Sequence, residues 1–173
     1  MGSSILIPVS EYLQTTYRPD RDYVDGELKE RNVGEQPHAH MQSIISAIFR
    51  ENRKVWAVRA LTEQRVQVSA TRYRVPDICI IKSTDPKDPI IGFPPLLCIE
   101  VVSADDSLRD IQERADDYST MGVKDIWVVD PWKRVGYYAS PKGFTKTEDE
   151  VLKITGTQIE ISLAEVFAEL DEF

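Results

Sequence analysis

The stretch that decides the fold is Arg74-Val75-Pro76-Asp77-Ile78-Cys79-Ile80-Ile81, followed after a proline-rich break by Pro95-Leu96-Leu97-Cys98-Ile99-Glu100-Val101-Val102. Each half is a short apolar run, rich in β-branched residues and bounded by prolines, a pattern that predicts buried strands rather than helix. Each also carries one carboxylate in apolar surroundings, where an unpaired charge is costly. Side chains alternate along a strand, so Asp77, Cys79 and Ile81 share one face of the first, and Leu96, Cys98, Glu100 and Val102 one face of the second. If the two strands pair, Asp77 and Glu100 can point to the same side. Two carboxylates on one low-dielectric patch repel unless a cation lies between them, and hard oxygen donors suit Mg²⁺ or Mn²⁺. The stretch reads as half of a metal site.

The residues that follow supply a helix and a further strand. After Val102, Ser107 opens a run with Leu108, Ile111, Ala115, Tyr118 and Met121 at helical spacing, ended by Gly122. Asp110, Arg114 and Tyr118 lie on one face at steps of four, so the helix carries Arg114 back toward the carboxylates if it packs on the sheet. The plain alternative is a surface ion pair between Asp110 and Arg114. Asp125-Ile126-Trp127-Val128-Val129-Asp130 is the next buried strand, and the strand-helix-strand order implies a parallel pairing through a right-handed crossover. Residues 83–95, rich in proline, form an irregular loop long enough to lie over the carboxylates.

Upstream, Ser10 reads as the N-cap of a short helix that ends by Pro19. Residues 21–31 hold two strand-like runs about Asp25-Gly26, a hairpin signal, with Asp22, Asp25 and Glu27 at its acidic tip. Met41, Ile44, Ile45, Ile48 and Phe49 define a core-facing helix. Its first turn holds His38 and His40, where a helix N-terminus favours a cap or a phosphate contact. Residues 54–69 alternate as two antiparallel strands, with Arg65 and Gln67 on one face of the second. Past Asp130, strands continue from Arg134 to Ile161, and Ser162 caps a terminal helix.

A chain of 173 residues with 42% hydrophobic content suits one domain, 1–173, with a sizeable core. Cys79 and Cys98 lie in the apolar strands and read as buried thiols in a reducing compartment. No apolar run approaches the roughly 18 residues of a membrane span, and Met1 to Pro8 lacks the basic and apolar regions of a signal peptide, so a cytoplasmic location is expected. The net charge of -8 opposes binding to a polyanion, but its distribution is uneven. Residues 48–82 carry eight Lys or Arg against three acids, whereas 99–130 carry nine acids against three bases. The basic segment is either a polyanion footprint, with Arg65 and Arg72 as contacts, or a solvated surface laced with ion pairs.

Taken in order, Tyr23-Val24-Asp25-Gly26-Glu27, His40 opening a helix, Val75-Pro76-Asp77, Ile99-Glu100-Val101-Val102-Ser103, Asp110-xxx-Arg114-xxx-Tyr118-xxx-Gly122-Val123 and Ile126-Trp127-Val128-Val129-Asp130-Pro131 form a pattern that covers nearly the whole chain. It resembles the Uma-two family of bacterial endonucleases, of the PD-(D/E)XK or restriction-endonuclease-like superfamily. The resemblance implies an α/β fold, a mixed central sheet flanked by helices, with an N-terminal antiparallel hairpin region. It implies a metal-dependent DNA endonuclease in which Asp77, Glu100 and the Val101 carbonyl hold Mg²⁺ or Mn²⁺ and Glu27 or Asp22 completes the catalytic set. His40, Arg65 and Arg72 would contact DNA, and a homodimer would serve both strands of a duplex. The superfamily lysine expected two residues after the glutamate is Val102 here, and the position matching a lysine displaced onto the following helix is Arg114. Arginine holds a phosphate but, with a pKa above about 12, does not act as a base. Two rival readings stand beside the enzyme: a catalytically silent nucleic-acid-binding or regulatory module, and a protein-interaction module whose carboxylates form only structural ion pairs.

Overall fold

The protein is described by a computed structural model covering residues 5–32 and 34–172; the opening Met1 to Ser4 of the segment read for a leader lies outside the described residues. The chain starts with α1 (Val9–Gln14), which Pro8 rather than Ser10 precedes as the N-cap residue, without a side-chain cap. The hairpin follows as β1 (Asp22–Val24) and β2 (Glu27–Lys29), with Val24 opposite Glu27. Only Asp25 and Gly26 remain for the turn, and both take positive φ, the type I′ geometry whose twist matches that of the strands. Next come α2 (Gln36–Glu51), which buries Met41, Ile44, Ile45 and Phe49, and the helical turn α3 (Arg53–Trp56). The alternation at Lys54-Val55-Trp56 was strand-like in sequence, but Ala57 in the left-handed conformation ends a helical turn there.

β3 (Val58–Thr62) and β4 (Val66–Ser69) are antiparallel in character, yet they belong to different sheets. β4 pairs with β5 (Arg72–Arg74), which pairs with β1, giving a four-stranded order β2-β1-β5-β4. The apolar run from Arg74 to Ile81 is therefore two strands, not one. After β5 the chain leaves the hairpin sheet through Val75-Pro76-Asp77 and enters the central sheet as β6 (Ile78–Lys82). Pro76 has no N–H to give a ladder, which makes it a natural break between the sheets.

The central sheet is completed by β7 (Leu97–Val101), α4 (Leu108–Met121), β8 (Asp125–Asp130), β9 (Val135–Ser140) and β10 (Gly143–Lys146), in the order β10-β9-β8-β7-β6-β3. β7 and β8 are parallel across the α4 crossover and every other pairing is antiparallel. Ser107 caps α4 by accepting from the Asp110 N–H, and Gly122 at φ +108° closes it. β11 (Val151–Lys153) and β12 (Glu160–Ser162) form a small ribbon before α5 (Leu163–Leu170), capped by Ser162.

Both faces of the central sheet are covered, which explains why its strands read as continuous apolar runs. On one face α2 and α5 pack Ile45, Phe49 and Val166 against Ile78, Ile80, Leu97, Ile99 and Trp127. On the other, α4 packs Ile111, Ala115 and Tyr118 against Cys79, Ile81, Cys98 and Val128. Leu108 was expected in that stripe, but it lies in the first turn of α4 beyond the sheet and is 65% exposed. Cys79 and Cys98 face each other across β6 and β7 as free, buried thiols. Among the described residues no helix is long and apolar enough to cross a membrane.

Candidate active site

The β6–β7 register sets Ile78 against Ile99, and one further step sets Asp77 against Glu100 on the α4 face of the sheet. Both side chains are buried, and both line a cavity of about 330 Å³ together with Asp22, Arg31, His38, Arg74, Val101, Ser103, Asp106 and Arg114. Asp77, expected inside a strand, stands at the point where the chain changes sheets. Its carboxylate is therefore reached by groups from several elements.

Asp77 Oδ2 accepts from the Val101 N–H at 2.8 Å and lies 3.2 Å from His38 Nε2, while Oδ1 accepts from Arg31 Nη2 at 2.5 Å. Gln42 donates to the Asp77 carbonyl at 2.8 Å and ties the start of β6 to α2. Burial alone would raise the Asp77 pKa, but the His38 hydrogen bond and the Arg31 charge outweigh it and hold it below the usual carboxylate range. His38 is correspondingly raised: burial disfavours its charged form, and the contact with Asp77 prevails. Glu100 is the reverse. Burial pushes its carboxyl up to about 7, Arg114 pulls against that, and the negative charge of Asp77 adds to it. The inner pair thus holds one firmly ionised carboxylate beside one that retains a proton near neutrality.

Two side chains of α4, one turn apart, reach Glu100. Tyr118 donates its hydroxyl to Oε1 at 2.6 Å, and Arg114 Nε lies 3.1 Å from Oε2. The Arg114 contact pairs charges without hydrogen-bond geometry, leaving Nε a buried donor with no partner among the described residues. Its Nη2 reaches Asp106 at 3.3 Å. Asp110, the sequence neighbour that offered a surface pairing, instead accepts from the Ser107 hydroxyl.

Asp22, the other candidate upstream acid, also lines the cavity and accepts from Arg74 Nη1 at 3.0 Å and from the Val75 N–H at 2.9 Å. Glu27 stands apart, on β2, in an ion pair with Lys29 at 2.6 Å. The register places both on one face of the hairpin, but Asp22 stands at its open end, beside Arg74 and Val75, whereas Glu27 stands next to the turn. Of the two histidines, His38 meets Asp77, whereas His40 is not among the residues lining the cavity. Arg31 is the residue that sequence reasoning left out, and His38, read there as a cap or phosphate contact, meets Asp77 instead. Their signal was weak: His38 offered only a helix-terminal position, and Arg31 follows a hairpin as many solvated arginines do.

The proposed DNA contacts Arg65 and Arg72 are engaged elsewhere. Arg65 binds Asp20 twice at 2.7 Å, donates to the Tyr12 and Thr15 carbonyls and stacks on the Tyr12 ring. Arg72 bridges Asp25 and Asp117. The 83–95 loop does not cover the site either. Ile91 exchanges backbone hydrogen bonds with Arg65 and Gln67, laying the loop along β4. The cavity is flanked instead by Arg31 and by Asn32, which donates to Ser103 and Asp106.

Among the described residues, eight carboxyl groups and four Lys or Arg line the cavity, an excess of four negative charges with every carboxyl ionised and His38 neutral, and of three where Glu100 keeps its proton. That excess repels a bare phosphate and attracts a divalent cation, and the hard oxygen donors match Mg²⁺ or Mn²⁺ in kind. No three His, Cys, Asp or Glu side chains among the described residues converge as a ready-made cage, since Asp22 is turned to Arg74 and the inner pair to Arg31, His38, Tyr118 and Arg114. The residues therefore fit a metal in chemistry, with the protein's own cations standing at the ligand positions.

A mixed sheet with helices on both faces and paired acids at β6 and β7 is the architecture of the restriction-endonuclease-like nucleases. The model of the Uma2 family, described as "Putative restriction endonuclease", matches residues 9–154, and the chain belongs to that family. Among solved structures, "a putative nuclease" from Anabaena variabilis superposes with a TM-score of 0.81 at 20% identity, over 95% of this chain and 99% of that one. A DrdV–DNA complex solved by cryo-electron microscopy gives a TM-score of 0.40 at 14% identity, over 75% of this chain and 11% of that one. No curated protein matches by sequence.

Proposed function

We propose that the chain is a metal-dependent endonuclease that hydrolyses DNA phosphodiester bonds, acting as one domain in the cytoplasm and as a two-fold pair where both strands of a duplex are cut. The observation that carries this reading is that Asp22, Asp77, Glu100 and Arg114, drawn from three strands or strand ends and a helix, line one electronegative cavity. Asp77, Glu100 and the Val101 carbonyl would hold Mg²⁺ or Mn²⁺. The bound ion would supply an acidified water and positive charge at the scissile phosphate.

The remaining work falls to side chains of this chain. Tyr118 holds the rotamer of Glu100, and the Val101 N–H holds that of Asp77. Arg114 keeps its charge at any working pH and neutralises the phosphate without acting as a base. Arg31, once freed from Asp77, presents a planar guanidinium suited to two phosphate oxygens. Asp22, fixed by Arg74, stands ready to accept a proton or to complete the acidic set.

A silent nucleic-acid-binding module is favoured by a different observation. Arg31, His38 and Arg114 already balance the inner carboxylates. One experiment separates the two: titration of the pure protein with Mg²⁺ and Mn²⁺ on plasmid, linear and single-stranded DNA, beside Asp77→Ala. The enzyme reading expects metal-dependent cleavage that Asp77→Ala abolishes. DNA binding with no cleavage under any of these conditions supports the silent module.

A further inference from the structure

Next to the acidic cavity lies a second one of about 380 Å³ with a different character. The two share a wall, Ser103 and Asp106, but the second is lined by Leu108, Trp132, Tyr137 and Phe144. Trp132 is 54% exposed, and with Leu108 it belongs to the few large apolar side chains that the fold leaves in solvent. Neither is there by looseness. Asp130 Oδ1 accepts from the N–H groups of both Trp132 and Lys133 at 2.9 Å, and Arg134 takes φ +54°, so the turn after β8 presents the indole on a fixed frame. Leu108 sits in the first turn of a capped helix.

We infer that this groove receives an unpaired base of a nucleic-acid strand whose backbone crosses the neighbouring acidic cavity, so that the substrate includes single-stranded, flapped or frayed nucleic acid. The inference rests on the nuclease reading for the position of the backbone. Three features favour a base over other occupants. The groove is continuous with the candidate active site through Ser103, three residues past Glu100, and Asp106, which shares Arg114 with Glu100. Its lining carries Lys133 with Asp106 and Asp130, Asp130 being held by the N–H groups of Trp132 and Lys133, and Lys146, just outside the lining, shares with Phe144 one face of β10, which sets lysine charge beside the aromatic surface as single-strand binding requires. A second copy of the chain would be expected to bury roughly 800 Å² per partner, far more than two exposed apolar side chains and a polar wall provide. A base in a continuous duplex is stacked and cannot enter, which is why the groove selects unpaired strands.

The test uses the indole itself. Trp127 is fully buried and Trp56 half-buried, so Trp132 is the tryptophan best exposed to a quencher. Titration of the full chain with oligothymidylate in Ca²⁺ is expected to quench the fluorescence, and Trp132→Ala is expected to lose the quench and about tenfold or more in affinity for the single strand. Duplex affinity should stay within about twofold, and Trp132→Phe should keep most of the single-strand affinity. Single-strand binding equal to the parent in Trp132→Ala overturns the inference. So does a parent dimer that Trp132→Ala dissociates, in sedimentation, without change in oligothymidylate affinity. The two readings fail separately: Asp77-dependent plasmid cleavage with no role for Trp132 sinks the groove alone, whereas Trp132-dependent base binding with no cleavage in Mg²⁺ or Mn²⁺ sinks the nuclease alone.

Discussion

The hairpin sheet and the acidic cavity are both built from arginines set against carboxylates, and they differ in how completely those partners satisfy each other. On the hairpin side Arg65 donates to Asp20, Tyr12 and Thr15, and Arg72 joins Asp25 and Asp117. In the cavity, among the described residues, carboxylates outnumber bases two to one, Arg114 Nε has no hydrogen-bond partner, and burial pushes the Glu100 carboxyl up to about 7. Saturated pairs hold elements together, whereas an unbalanced cluster retains the capacity to take up a proton, a cation or a phosphate. Chemistry is accordingly expected where the pairing is incomplete, and stability where it is complete.

The largest effect that contrast predicts is on activity. Asp77→Ala is expected to lower DNA cleavage by well over the roughly 100-fold that follows loss of an outer metal-site partner, while the thermal melt shows a folded protein; cleavage at the parental rate would remove the cavity from the mechanism. Arg114→Ala tests the same cavity through stability. It removes the cation that favours the ionised form of Glu100, so the metal-free protein should lose up to about 3 kcal/mol at alkaline pH, where Glu100 must ionise, and less at neutral pH, where it keeps its proton, and Mg²⁺ should restore part of the melting temperature. Arg114→Lys should keep both stability and cleavage, and equal melts for parent and Arg114→Ala would show that the pair carries no weight.

Arg65→Ala sharpens the other side of the comparison. Loss of a half-buried ion pair should destabilise by about 3 kcal/mol, the low end for such pairs, with DNA affinity and its salt slope unchanged. A salt slope reduced by about one would show instead that Arg65 meets phosphate, as the basic character of residues 48–82 suggested.

The smallest effect is on pH. Glu100 and His38 both have folded pKa values above their ordinary ones, so each contributes stability that is full below its unfolded pKa and lost as pH rises through the folded value. Asp77, lowered below its ordinary value, stays ionised and adds no slope above pH 5. The melting temperature in EDTA should therefore decline from pH 5 to pH 8, and Glu100→Gln should flatten the decline. A parental slope in Glu100→Gln would place the titration elsewhere.

Local patterns in the chain were enough for much of this molecule. Apolar runs bounded by prolines identified β6, β7 and β8, helical spacing and caps identified α2, α4 and α5, and Asp25-Gly26 identified the hairpin, because periodicity and turn chemistry act over a few residues. Asp77 and Glu100 stood out for the same reason, each being a charge inside an apolar run. What the sequence could not determine was which elements meet. Val58–Thr62 and Val66–Ser69 looked like partners yet lie in separate sheets, and one apolar run from Arg74 to Ile81 serves both. Partner choice among cations was equally hidden: Arg65 and Arg72 looked free, Arg31 and His38 looked incidental, and Asp22 and Glu27 looked equivalent. Each depends on contacts between residues 30 to 60 positions apart or on which side a strand turns. Tertiary packing alone decides these, because a guanidinium is satisfied by whichever carboxylate the folded backbone brings within reach, and no local pattern records which one that is.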